Sequence, residues 1–167
     1  MNKVLIIVGF HDKVLQDVND FKKIYDEKCD YLAVGLDVVE SIQFPWLYVA
    51  TYHKHDVQKI RSILDRINPV YKLISYEQHP GVDILEPYIM PSGSSALLGT
   101  TTAMKLGYQK IVLCGCPLEG VNNRNDSYLQ FQKGWTARLN EVKHYVRSMS
   151  GWTSELLKAP TKEWVDL

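Results

Sequence analysis

Lys3-Val4-Leu5-Ile6-Ile7-Val8 is a compact run of aliphatic and β-branched residues after Lys3, closed by Gly9. No polar residue alternates within it. A strand with one wet face alternates apolar and polar positions. A strand buried on both faces does not, and such strands belong to parallel sheets. The run is far shorter than a secretory apolar segment and gives way at once to His11 and Asp12, so a buried first strand is the better reading.

Working outward, the same alternation of elements repeats. From Asp12 the pattern predicts a helix with Val14, Leu15, Val18, Phe21, Ile24 and Tyr25 on one face. Asp30–Val34 predicts a second strand, closed by Gly35, with Asp37 in the loop beyond. Trp46–Ala50 predicts a third. A helix follows from about Asp56 to Ile67, with Val57, Ile60, Ile63, Leu64 and Ile67 as its stripe, ended by Pro69. Val70–Ser75 predicts a fourth strand, and Glu77–Met90 a long loop, since Pro80, Gly81 and Pro87 break any period. A small-residue helix over 96–106 ends at Gly107. Ile111–Cys114 predicts a fifth strand, Gly115–Asp126 a polar loop, Tyr128–Lys143 a helix and Tyr145–Met149 a short sixth strand. Trp152–Leu157 predicts a short helix before a tail holding Pro160 and Trp164.

Strands alternating with helices imply right-handed crossovers and a parallel sheet. The expected fold is therefore α/β: a three-layer, Rossmann-like domain over residues 1–167, with about six mostly parallel strands and helices on both faces. In such sheets ligands bind beyond the carboxyl ends of the strands. That selects Gly9–Asp12, Gly35–Asp37, Thr51–His55, Tyr76–Met90 and Gly115–Asn125 as one rim.

Composition narrows the partners. The 167 residues carry 19 Lys plus Arg against 19 Asp plus Glu, so the chain lacks the basic footprint of a general nucleic-acid binder. No apolar run approaches the roughly 20 residues of a membrane span. Three cysteines, Cys29, Cys114 and Cys116, are an odd and sparse set, which points to a reducing compartment and hence the cytoplasm. Trp152 and Trp164 in the closing segment offer aromatic surface for self-association.

The strongest local signal is Ser92-Gly93-Ser94-Ser95, which opens a helix. The first turn of a helix presents free N–H groups and the positive end of the dipole, and both suit a phosphate. Serine is equally a good N-cap with no ligand at all. No Walker lysine follows, and no G-x-G-x-x-G is present. Gly9 and His11 after the first strand offer a second approach for a nucleotide, against a plain turn capped by Asp12. His79, beside Pro80-Gly81, is a candidate general base. His53-Lys54-His55 has metal-ligand spacing but lacks a third ligand, so no metal site is assigned. Cys116 stands near the rim. Glu119 is a candidate base or magnesium ligand, and Arg124 a candidate phosphate partner.

The stretch from Ser92-Gly93 through Ala103, Leu106-Gly107-Tyr108, Ile111, Leu113 and Gly115 resembles bacterial sialyltransferases with a single Rossmann-like nucleotide domain. It is similar also to archaeal hydroxymethyl-dihydropterin pyrophosphokinase-like proteins. Arg147-Ser148-Met149-Ser150-Gly151-Trp152-Thr153 resembles a closing segment of small phage and prophage proteins. The resemblance implies a nucleotide pocket at Ser92, Gly93 and Ser94, extending to Gly9 and Asp37. In both enzyme families an aspartate stands two residues beyond the strand-ending glycine; here that residue is Pro117. The resulting expectation is a transferase acting on a nucleotide or nucleotide sugar, with glycosyl transfer preferred. The alternatives are magnesium-dependent pyrophosphoryl transfer and a non-catalytic nucleotide- or protein-binding module.

Overall fold

The structure, a computed structural model, describes residues 2–68, 70–119 and 125–167, the side chains of 125–127 excepted. The first strand, β1 (Val4–Val8), has all five residues fully buried, which is why its sequence runs apolar without alternation. Each such aliphatic side chain contributes roughly 1.5–3 kcal/mol by leaving water. In chain order there follow α1 (Val14–Ile24), β2 (Asp30–Val34), α2 (Leu36–Ser41), β3 (Trp46–Ala50), α3 (Asp56–Leu64) and β4 (Lys72–Ser75). Then come β5 (Ile84–Leu85), α4 (Ser94–Lys105), β6 (Lys110–Cys114), α5 (Asn125–Val142), β7 (Val146–Ser148), α6 (Gly151–Leu157) and α7 (Lys162–Asp166).

The seven strands form one sheet in the order β5-β4-β3-β2-β1-β6-β7, and every pairing is parallel. Successive strands are laid down in one direction from β1 to β5. The chain then returns under the sheet through α4 and places β6 on the other side of β1. Alternate residues of β1 feed opposite layers. Val4, Ile6 and Val8 pack with α1, α2, α3 and α7, whereas Leu5 and Ile7 pack with α4, α5 and α6. The fold is thus a three-layer, Rossmann-like α/β sandwich.

Several boundaries differ from the sequence reading, each for a physical reason. Among the described residues the sheet is wholly parallel and has seven strands; β5 is two residues long, too short for a period, and lies inside the expected Glu77–Met90 loop. Asp37 sits in the first turn of α2, not in a loop. Helix α1 begins at Val14, and Asp12 does not cap it. Instead His11 Nδ1 either accepts from the Lys13 amide at 3.2 Å or, protonated, donates to Asp12 at 2.9 Å. On α1 the apolar stripe is shifted: Leu15 is exposed, and Asp17 is buried in its stead. α3 stops at Leu64, leaving Ile67 exposed, and the closing tail contains α7. No helix among the described residues is long and apolar enough to cross a membrane.

Candidate functional site

The order of strands reverses between β1 and β6, and the loops leaving these two strands meet there. The Gly9 amide donates to the Cys114 carbonyl at 2.9 Å. A Cβ at Gly9 would lie 2.3 Å from the Gly115 carbonyl oxygen and 2.6 Å from Cys116 Sγ. Gly115 has φ +67, and a Cβ there would lie 2.6 Å from Val14. Glycine is therefore required at both positions by strand-end packing. The floor of the rim here is bare backbone.

A buried carboxylate pins this floor from below. Asp17, on α1, accepts from the Gly115 amide at 2.8 Å and from the Ser150 hydroxyl at 2.7 Å. Thr153, on α6, donates to the Cys116 carbonyl at 2.7 Å, and Gly151 lies so close to Pro117 that a Cβ would come within 2.3 Å of it. Pro117 is buried against α6. Cys116 is buried, not exposed at the rim. Burial, reinforced by Asp17, pushes its thiol up to about 12. A thiol so held is not a nucleophile at neutral pH.

The turn at Ser92–Ser95 lies at the same rim on the α4 side of the sheet. Its serines cap one another: Ser92 Oγ accepts from the Ser94 amide at 3.3 Å and Ser94 Oγ from the Ala96 amide at 3.2 Å. Ser95 Oγ accepts from the Tyr52 amide at 3.2 Å, joining the turn to the loop after β3. These hydroxyls keep their own protons to donate, so capping and anion binding coexist in one geometry. Gly93 lacks a side chain because Leu97 occupies the space, 2.2 Å from a would-be Cβ. The other wall is α5. Gly134 packs on the turn's backbone, with a would-be Cβ 2.6 Å from Gly93 N and Pro91 O, and Trp135 Nε1 donates to the Gly93 carbonyl at 2.9 Å.

The same turn of α5 holds the loop after β6, since Gln132 Nε2 donates to the Leu118 carbonyl at 2.8 Å. Glu119, the next residue, is exposed just beyond this anchored carbonyl. His79 lies elsewhere. Its neighbours Pro80 and Gly81 are tied to Gln58 and Arg61 of α3, on the opposite face of the sheet. Gly9 and His11 lie at the end of β1 and the exposed Asp37 at the start of α2, all on the rim. Arg124 lies outside the described residues.

Sequence reading missed Gly134 and Trp135, although a glycine inside a helical pattern is a standing hint of close approach. It missed also a cluster of Tyr52, Tyr76 and Tyr88 at the ends of β3, β4 and β5, with ring centroids 5.0 to 5.8 Å apart. Burial pushes the Tyr52 phenol upward, and the nearby Ser92 hydroxyl opposes this. That proximity falls short of a hydrogen bond, so the buried Tyr52 hydroxyl has no partner among the described residues. His53 and His55 stack on each other at 5.9 Å, and both are exposed. Among the described residues no group of three or more His, Cys, Asp or Glu side chains is placed to hold a metal ion.

No protein-family model matches the chain, and no curated protein does. Among solved structures, thiamine pyrophosphokinase from Bacillus subtilis is similar, with a TM-score of 0.53 and 12% identity. The aligned region covers 88% of this chain and 60% of that one, so this chain spans less than two thirds of its neighbour's length. At that identity the likeness is one of fold.

Proposed function

We propose that the chain binds a nucleotide along this rim and transfers a pyrophosphoryl group from it. One observation carries the reading: the reversal of strand order at β1 and β6, with the Ser92–Ser95 helix start brought to the same rim by Tyr52 and α5. Helices α1, α3 and α4 each begin at that rim, so three positive dipole ends face it. Adjacent strands lie about 4.8 Å apart, so the ends of β3 and β6 are separated by about 14 Å, a span suited to a nucleotide. The solved neighbour of like fold is a pyrophosphokinase, which favours pyrophosphoryl over glycosyl transfer. Glycosyl transfer rests on the Ser92–Gly115 pattern alone.

In this chemistry an acceptor hydroxyl attacks the β-phosphorus of ATP, AMP departs, and the hydroxyl proton passes to a rim base, with His11 and Glu119 the candidates. Asp12, Asp37 and Glu119 stand exposed on three different rim segments. Such a set fits a magnesium ion carried in on the nucleotide, which needs only one or two protein carboxylates, and does not fit an all-protein cage. Bound there, the ion would neutralise developing phosphate charge.

Thermal-shift titration with ATP, CDP and CMP, each with and without magnesium, tests the proposal. Stabilisation by ATP that requires magnesium, followed by AMP formation with an acceptor, is the expected result. Stabilisation by CMP without magnesium points to the sialyltransferase-like reading, and no response to any nucleotide overturns both. A second reading is favoured by Pro117, which lies buried under α6 where an acid is expected. If ATP stabilises the protein while no AMP forms with any acceptor, the chain is a binding module that has lost the reaction.

A further inference from the structure

A pocket of about 380 Å³ lies along α4, between the loop leaving β5 and helix α5. One wall is the loop leaving β5, with Glu86 and Tyr88. The floor is Met104 and Lys105 of α4. The far wall is Arg138 of α5 together with Tyr145. The volume suits a molecule of one or two rings. Met104 lies roughly 15 Å along α4 from Ser94, whereas Tyr88, at the other end of the pocket, packs on Tyr52.

Glu86 is the unusual member. It is only 4% exposed. Buried acids are rare unless paired. One oxygen meets Lys105 Nζ at 2.7 Å, and the other has a long contact of 3.4 Å from Thr102 Oγ1. Lys105 is itself 61% exposed on its flexible stem. A carboxylate accepts about four hydrogen bonds, so Glu86 keeps acceptor capacity beside the pocket. Across the pocket Arg138 is already paired with Glu141 at 3.0 Å and makes no comparable demand. Tyr88 and the half-buried Tyr145 both line the pocket, and Tyr88 is 48% exposed, a large aromatic surface left uncovered.

We infer that this pocket is a second ligand site, which takes a small planar aromatic cation whose amidinium or amino-heterocycle donors meet the Glu86 carboxylate while its ring lies between Tyr88 and Tyr145. The inference does not rest on the nucleotide reading: Glu86 and Tyr88 belong to the loop after β5, which borders the rim at Tyr52, but no pocket side chain lies in the turns at Gly9, Gly115 or Ser92–Ser95.

Benzamidine is the probe, with benzoate as the control of opposite charge, titrated into the full chain by calorimetry. Benzamidine binds once per chain, benzoate does not, and saturating ATP leaves the benzamidine affinity unchanged. Glu86→Gln weakens benzamidine about tenfold or more, the scale of a charge-assisted hydrogen bond. Tyr145→Leu weakens it as well. Lys105→Met alters an exposed residue and removes the competing ammonium, so it tightens benzamidine. This variant decides the matter should Glu86→Gln not fold. Absence of benzamidine binding, equal binding of benzoate, an unchanged affinity in folded Glu86→Gln, weaker binding by Lys105→Met, or competition with ATP would each overturn the inference.

Discussion

Gly134 stands inside α5, where glycine costs about 1 kcal/mol relative to alanine. The cost is borne because a methyl group there would lie 2.6 Å from the backbone of Pro91–Gly93, which cannot swing aside like a flexible side chain. Gly134→Ala is therefore expected to lower stability by about 1–3 kcal/mol in urea unfolding, against its gain in helix propensity. A more stable variant would refute the contact. The cysteines make a second residue-scale expectation. Cys29, Cys114 and Cys116 are all buried, and burial pushes each thiol upward. A disulfide reagent at pH 8 should find all three silent until denaturant is added; fast labelling of the native protein would show the rim to be more open than described. Sequence marks these residues as few and unpaired, but it cannot tell an exposed Cys116 from a buried one, because the covering residues come from α6.

At the scale of elements, legibility follows length and pattern. β1 and β6 are long, apolar and bounded by glycine, and both were readable. β5 has two residues and α2 six, too few to establish a period, so from sequence both read as loop, Asp37 included. α1 misled differently, since its amphipathic count puts Leu15 inward. The buried place at that level goes to Asp17, whose carboxylate is committed to the Gly115 amide and the Ser150 hydroxyl. Asp17→Asn keeps the shape but loses the charge that strengthens both bonds. It should cost about 1–3 kcal/mol in thermal or urea unfolding. Unchanged stability would mean that the end of β6 is held by packing alone. The Ser92–Ser95 turn was visible as a helix start; its fastening to α5 was not, because Gly134 and Trp135 lie some forty residues farther along the chain.

Across the whole molecule, tyrosines give the clearest dependence on pH. Burial, aided by Glu27, pushes Tyr25 up to about 12, and burial, aided by Asp65, does the same for Tyr71. Tyr108 is raised further by burial and by its 2.5 Å bond to Asp30. In the unfolded chain these phenols ionise near 10, whereas in the folded chain they keep their protons. Their contribution is therefore complete below pH 10 and falls through the window from 10 to 12. Absorbance at 295 nm during alkaline titration should show a late group of tyrosines ionising together with the loss of helical circular dichroism. Ionisation of all ten near pH 10 with the helices intact would contradict this burial. The alternation of elements made the layered architecture legible, but not the order of strands, because periodicity carries no record of which edge a strand joins. That order has a consequence for how the protein is made. Val4 pairs with Lys110, and Val8 with Cys114. On the ribosome, β1 emerges more than a hundred residues ahead of β6, one of its two neighbours. Closing so long a loop is entropically costly and slow. Until then the most apolar strand in the protein presents an open edge to every other nascent chain, which makes its assembly, more than its finished stability, the point at which this protein is vulnerable.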